Sequence, residues 1–468
     1  MINSLSNNGY GIIKENNKNL IEEIKKELTV TPNNNFDSNC IKQYPIYIEN
    51  DKKLYVPKYY GLQKFGIPKI NKINEGIDCP NLIFNGTLRD YQKDYINNFI
   101  KCANDPLKLG GLINARCGEG KTIMAIYLIC HFKKKTLFIS HKDFLNQQFI
   151  DTINIFVPNA KIGIIKQKKI DIRNKDIVIG SLQSLAMRNY DNDIFKEFGL
   201  VVIDECHHIA SEVFSRAFQK MNIKISLGLS ATLNRKDGLR KVFEWYLGKS
   251  VYTNKKKEDV DLIVKMYKYF EPSNEYSDVK LIFNGKVNIA GMVNNICNYK
   301  PRTLYIYNII KLLLKEEPNR KLLVLSERRN HLKDIEELIE IDKIATTGYY
   351  VGGMTMSELN ISETKQIILA TYQMSSEGLN IPTLNTIVFA SPISDIQQSI
   401  GRILREKKEV RKYIPLCIDI WDEFSVFLKK GYCRIKYYDK NNYHIEYYRD
   451  FEKIPEKKEE KCKFIEDD

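Results

Sequence analysis

Short aliphatic runs separated by stretches of helix length dominate the chain from about Leu82 onward. Gly110-Gly111-Leu112-Ile113-Asn114, Thr136-Leu137-Phe138-Ile139-Ser140, Asp176-Ile177-Val178-Ile179-Gly180, Leu200-Val201-Val202-Ile203-Asp204 and Ile225-Ser226-Leu227-Gly228-Leu229 are short, mostly apolar runs. A strand buried on both faces gives that pattern, and parallel sheets covered by helices contain such strands. The same grammar restarts at Lys321-Leu322-Leu323-Val324-Leu325-Ser326 and continues through Gln366–Ala370 and Thr386–Ala390 to Pro415–Asp419. Two α/β domains are therefore predicted.

The remaining segments read differently. Residues 1–80 combine Asn-rich turns, an amphipathic helix from Lys18 to Leu28 and an extended Tyr/Pro stretch, which predicts a small accessory domain. The first α/β domain is placed at 81–252, a connector with some extended structure at 253–299 and the second α/β domain at 300–425. In 426–468, two tyrosine-rich runs flank Asp439-Lys440-Asn441-Asn442 and predict a β-hairpin, followed by a solvated Lys/Glu tail.

Ala115-Arg116-Cys117-Gly118-Glu119-Gly120-Lys121-Thr122 follows a predicted strand and precedes the apolar run Ile123 to Phe132. That is the context of a phosphate-cradling loop. Glycines let backbone N–H groups wrap phosphate oxygens, Lys121 reaches the β/γ-phosphates and Thr122 can ligate Mg²⁺. Ala115 stands where the strict pattern has its first glycine. Asp204-Glu205-Cys206-His207 leaves the carboxyl end of another strand, where ligand crevices form in such sheets. Asp204 is expected to hold Mg²⁺ through water, and Glu205 to orient and deprotonate the attacking water. Upstream, Leu88-Arg89-Asp90-Tyr91-Gln92 could set Arg89 and Gln92 on an adenine edge, although taken alone it is an ordinary helix start. Far along the chain, Gln398-Ser399-Ile400-Gly401-Arg402-Ile403-Leu404-Arg405 predicts an arginine-bearing helix with Arg402 and Arg405 on one face. Guanidinium groups aimed at a γ-phosphate stabilise the charge of the transition state, worth about 10³–10⁵ in rate for arginine fingers.

Charge and cysteine usage sharpen the picture. The 468 residues carry a formal charge of +14, which suits a polyanionic partner because Lys and Arg gain affinity for phosphates by releasing counterions. Ten cysteines with no C-x-x-C pair suggest neither a zinc ribbon nor a disulfide framework, and point to a reducing compartment. No apolar run approaches the ~18 residues of a membrane helix, and the first residues lack a signal-peptide pattern, so a soluble intracellular protein is expected.

Together these segments resemble the motif series of superfamily 2 helicases, in order. Gln92 resembles the adenine-reading motif, Gly118 to Thr122 motif I, Asp204 to His207 motif II in its DECH form and Ser230-Ala231-Thr232 motif III. Thr371 with Ser376 to Pro382, Gly378 included, resembles motif V, and Gln398 to Arg405 motif VI. The resemblance spans about Leu88 to Asp419 and implies two tandem RecA-like domains. It implies an ATP- and Mg²⁺-dependent motor in which Cys117, Gly118, Glu119, Gly120, Lys121 and Thr122 hold the nucleotide. It also implies that His207, Ser230 and Thr232 couple hydrolysis to movement. By the same analogy His141, Lys142, Ser181, Gln183, Ser326, Arg328 and Thr371 grip nucleic acid from loops opposite the nucleotide. The stretch Gly228 to Gly248 is similar to the XPB-like branch of duplex-DNA translocases, and closer to the transcript-release DNA helicases of poxviruses and other large cytoplasmic DNA viruses. That similarity implies a monomeric 3′–5′ DNA helicase of viral transcription, working beside transcription machinery in the host cytoplasm and packaged in the virion. An RNA helicase, a duplex translocase that does not unwind, and an ATP-binding scaffold with a decayed site are the competing readings. Retention of Lys121, Glu205, Arg402 and Arg405 opposes the last.

Overall fold

The computed structural model describes residues 3–31, 43–116, 118–206, 211–231, 239–253, 261–377, 379, 381–406 and 408–455. It divides into two compact units, Met1–Lys255 and Lys256–Asp468. Among the described residues no helix is long and apolar enough to cross a membrane.

The first unit is built on an eight-stranded sheet. Its order is Lys169–Asp171, Ile162–Lys166, Ile177–Ser181, Thr136–Ser140, Leu200–Ile203, Ile225–Ser230, Gly110–Asn114 and Ser250–Thr253. All neighbours are parallel except the first pair. The five aliphatic runs of the first predicted domain all become strands here, because their side chains on both faces meet helices. The basic stretch Lys161 to Lys175 supplies the edge pair, and acids meet part of its charge: Lys166 Nζ lies 2.8 Å from Asp143 and Lys175 Nζ 3.4 Å from Asp171.

The amino-terminal segment forms its own five-stranded sheet, ordered Ile48–Glu49, Lys53–Val56, Gly9–Ile13, Asn3–Ser6 and Ile70–Asn71. It has no separate core. Leu5, Tyr10, Leu54 and Val56 belong to one buried cluster with Val201, Phe218, Phe243 and Tyr246 of the larger sheet and its helices. Lys58, buried at the start of the helix Lys58–Phe65, fastens the seam. Its ammonium donates to the carbonyls of Ile223 (2.6 Å) and Lys224 (2.7 Å) and to Ser226 Oγ (3.2 Å).

The second unit repeats the plan. Its sheet runs Thr347–Tyr350, Ile367–Thr371, Leu322–Ser326, Thr386–Phe389, Leu416–Asp422, Ile263–Tyr269, His444–Arg449 and Glu452–Ile454. Only the last pair is antiparallel. Two expectations change here. The strand Ile263–Tyr269, read as connector, lies inside this sheet with Val264 and Met266 fully buried. Tyr432 to Tyr438, read as one arm of a hairpin, lies in the helix Ser425–Lys440. Phe427, Gly431, Arg434 and Tyr438 recur at helical spacing and face the sheet. Gly431 admits the Trp421 indole, since a Cβ there would sit 2.0 Å from Trp421 Nε1. Arg434 pairs with Asp419 at 2.8 Å and Tyr438 donates to the same carboxylate at 2.7 Å, all buried. The hairpin forms further on, from His444–Arg449 and Glu452–Ile454.

Candidate active site

The phosphate loop joins the strand Gly110–Asn114 to the helix Lys121–Phe132. Gly118 (φ +90°) and Gly120 (φ +79°) take left-handed backbone that a side chain would strain. Gly120 is also sterically closed, because a Cβ would come within 2.5 Å of Gln92 Nε2. Gln92, buried, spans two backbones: its Oε1 accepts the Arg89 N–H (2.9 Å) and its Nε2 donates to the Glu119 carbonyl (2.8 Å). Glu119 was expected to face the nucleotide. Its carboxylate instead accepts the Arg116 N–H (2.6 Å) and the Tyr95 hydroxyl (3.2 Å) inside the loop. The adenine-reading assignment therefore acquires a structural component: Gln92 fixes the loop's shape. Sequence reasoning missed Tyr95, and also Tyr91, whose hydroxyl reaches the Glu119 carbonyl at 3.4 Å. Their recurrence on the same helix as Gln92 was the available signal.

Asp204 and Glu205 follow the strand Leu200–Ile203, two strands from the phosphate loop. Asp204 is anchored through its N–H on the Ile139 carbonyl (3.0 Å), and its Oδ1 accepts the Glu205 N–H (2.9 Å). Burial, then the neighbouring Glu205 charge, hold its carboxyl well above the usual range, while the Lys121 ammonium opposes the shift. Glu205 takes φ +45°, left-handed backbone for a residue with a Cβ. Its Oε1 lies 3.5 Å from Lys121 Nζ, which also reaches the Ala115 carbonyl at 3.4 Å. The loop lysine and the second acid are thus adjacent.

The oxygen donors fit magnesium. A hydroxyl at the first turn of the helix (Thr122) and a half-buried carboxylate at a strand end (Asp204) match an ion that keeps several waters and takes one or two carboxylates plus phosphate oxygens. A dication beside Asp204 would offset the burial cost of its charge. Ser230 closes the group: buried at the end of its strand, it accepts the Ala115 N–H through its carbonyl at 3.1 Å. Cys117, His207, Thr232 and Gly378 lie outside the described residues.

The residues assigned to nucleic acid are placed unevenly. His141 and Lys142 follow the strand Thr136–Ser140, Ser181 ends the strand Ile177–Ser181, and Gln183 lies in the helix Leu182–Met187 after it. Parallel strands bring all their carboxyl ends to one edge, so these residues share the edge of the phosphate loop, three and four strands along it, and do not face away from it. Gln183 is exposed, and partial burial lowers the Lys142 ammonium. In the second unit Ser326 is fully buried. It bonds His331 Nδ1 (3.0 Å) and accepts the Arg328 N–H (3.2 Å), which removes its hydroxyl from any surface track. Arg328 is partly exposed, and Thr371 ends its strand half-buried.

The predicted arginine helix is corrected as well. The helix Gln397–Ile400, which carries Gln398, is four residues long; Arg402 follows it in a turn and Arg405 in irregular backbone. Gly401 ends the helix at once. Arg402 is buried and its Nη1 donates to the Leu379 carbonyl at 2.8 Å, so packing within its own unit fixes it.

The fold and this site define a nucleoside-triphosphate-driven nucleic-acid motor, and comparison with known proteins agrees. Residues 85–235 match the family model "Type III restriction enzyme, res subunit" and residues 305–407 match "Helicase conserved C-terminal domain". The chain belongs to the superfamily 2 helicases and is an ATP-hydrolysing helicase. It is 38% identical to L396 of Acanthamoeba polyphaga mimivirus, a protein named as an ATP-dependent RNA helicase, over 95% of this chain and 87% of that one. It is 27% identical to QP509L of African swine fever virus (strain Badajoz 1971 Vero-adapted), which carries the same kind of name, over 76% of this chain and 74% of the relative. Helicase D10 of Escherichia phage T5 is 26% identical over 71% and 72% of the two chains. Among solved structures, a fragment of an HsdR-type subunit of a type I restriction enzyme from Vibrio vulnificus YJ016 shares the fold. Its TM-score is 0.55 and its identity 18%, covering 80% of this chain and 72% of that one.

Proposed function

We propose that this helicase is a DNA-stimulated ATPase that unwinds DNA 3′–5′ during viral transcription and takes part in transcript release. The observation that carries its chemistry is the Lys121–Glu205 approach beside half-buried Asp204. A phosphate oxygen competes with Glu205 for the Lys121 ammonium, so arrival and loss of the γ-phosphate exchange the partner of the acid that orients the attacking water. Thr122 and Asp204 would hold a magnesium ion, which would supply positive charge beside the phosphates. Arg402 and Arg405 are assigned to charge developing on the γ-phosphate by the motif they match. DNA as the track is supported by the resemblance of Gly228 to Gly248 to duplex-DNA translocases. A viral role is supported by the mimivirus and African swine fever virus relatives. Monomeric action beside transcription machinery in the host cytoplasm, with packaging in the virion, completes the proposal.

A second reading has its own support: the names of those two relatives specify RNA. Measuring ATP hydrolysis with single-stranded DNA, duplex DNA and RNA side by side decides between them. The proposal expects the largest stimulation with DNA. Stimulation by RNA alone overturns it in favour of an RNA helicase, and stimulation by duplex DNA without strand displacement makes the protein a translocase.

A further inference from the structure

Residues 278–286 of the second unit are all exposed. They form a short hairpin through the antiparallel bridge Leu281↔Val287, with the Ile282 N–H on the Lys286 carbonyl and the Gly285 N–H on the Ile282 carbonyl, both at 2.8 Å. Phe283 and Asn284 make the turn, and Gly285 follows at φ +76°. Four apolar side chains stand in water here: Val279, Leu281, Ile282 and, at the tip, Phe283 with its full surface exposed (110%). Isolated exposed apolar residues are ordinary, whereas a cluster of them marks recognition. Lys280 and Lys286 are interleaved with this cluster, with Asp278 at its start.

The hairpin is mounted firmly. The Asn288 N–H donates to the Lys280 carbonyl (2.7 Å), and Lys280 Nζ donates to Asn295 Oδ1 (2.6 Å). Asn288 Oδ1 accepts the Gly291 N–H (2.9 Å), so the base of the hairpin also caps the helix Ile289–Asn298. That helix is held in turn by Arg328, whose Nε donates to Asn294 Oδ1 (2.5 Å) and whose Nη2 donates to the Ala290 carbonyl (3.3 Å). One short helix therefore joins an unshielded aromatic tip to a partly exposed guanidinium.

We infer that this hairpin tip stacks on a nucleobase of single-stranded nucleic acid: Phe283 takes the base, while Lys280, Lys286 and Arg328 meet the flanking phosphates. The inference rests on the helicase reading and adds a contact to it. Every base offers a π-face, so an aromatic platform beside cations binds a strand without regard to sequence, as a motor requires. A second copy of the chain is a poorer occupant. One hairpin tip falls far short of the roughly 800 Å² per partner of a stable protein interface, and two chains of charge +14 repel.

The test measures binding of the full chain to fluorescent oligo-dT and oligo-U, each with an abasic counterpart. Phe283→Ala is expected to weaken binding of the base-bearing strands by about tenfold. It should leave the abasic strands bound as wild type binds them, and Phe283→Trp should restore affinity. The dT and U arms identify the sugar of the strand that benefits. Equal affinity of Phe283→Ala and wild type for base-bearing strands overturns the inference alone, as does an equal loss on abasic strands. A wild-type dimer that Phe283→Ala dissociates assigns the tip to self-association and also overturns it. Failure of the wild type to bind any of the strands removes the underlying helicase reading as well.

Discussion

Gln92 holds both the first turn of its own helix and the Glu119 carbonyl, so its loss should act on every nucleotide alike. Gln92→Ala is expected to raise KM for ATP and for GTP by a similar factor of about tenfold, since each hydrogen bond contributes roughly 0.5–1.5 kcal/mol. A rise confined to ATP would show base reading instead. Steady-state phosphate release with both nucleotides measures it. For the Lys121–Glu205 pair, Lys121→Ala should abolish turnover. Glu205→Gln should keep nucleotide binding yet lower kcat by about 10²–10⁴-fold, the usual contribution of a positioned base. Unchanged hydrolysis in Glu205→Gln would take that carboxylate out of the reaction. The placement of Lys121, Thr122, Asp204 and Glu205 just after strands was legible in the sequence, because aliphatic runs precede both segments. The inward turn of Glu119 and the burial of Ser326 were not, because tertiary neighbours decide them: Tyr95 and the Arg116 N–H for one, His331 for the other.

Elements of the second unit are locked by buried polar pairs. Arg302, on the helix Lys300–Glu316, meets Asp422 with Nε–Oδ1 of 2.6 Å, and Arg434, on the helix Ser425–Lys440, meets Asp419, both on the strand Leu416–Asp422. Removing one partner strands a charge in the interior. Arg302→Ala and Arg434→Ala are each expected to destabilise the unit by about 3–5 kcal/mol in denaturant unfolding. His331 adds a pH dependence. An unfolded imidazole titrates near its usual 6.5, whereas burial foremost, then the Arg302 and Lys300 charges, push the folded one down to about 3. Between those values the unfolded chain binds more protons, so stability is lost as pH falls from 6.5 towards 3, at up to about 1.4 kcal/mol per pH unit. Unfolding of wild type and His331→Gln compared from pH 7 to 4 should show the gap between them narrowing. Periodicity revealed the strands buried on both faces, such as Leu322–Ser326. It failed for Ser425–Lys440, where five Tyr, Ile and Val side chains imitate a strand and packing on the sheet, with Gly431 against Trp421, selects the helix.

Across the whole molecule, two α/β units and an excess of 14 positive charges suit a phosphodiester track. Stimulation of ATP hydrolysis by nucleic acid should weaken steeply as salt rises from 50 to 200 mM, because each neutralised phosphate releases a counterion. A salt-independent rate would separate hydrolysis from the track. The amino-terminal sheet has a practical consequence. It covers Val201, Phe218 and Tyr246, and its Lys58 is tied to the residues that begin the strand ending at Ser230. A truncated enzyme starting near residue 81, just before the helicase motifs, would leave an oily surface uncovered and should aggregate on expression. The smallest autonomous version of this motor has to keep its first seventy residues.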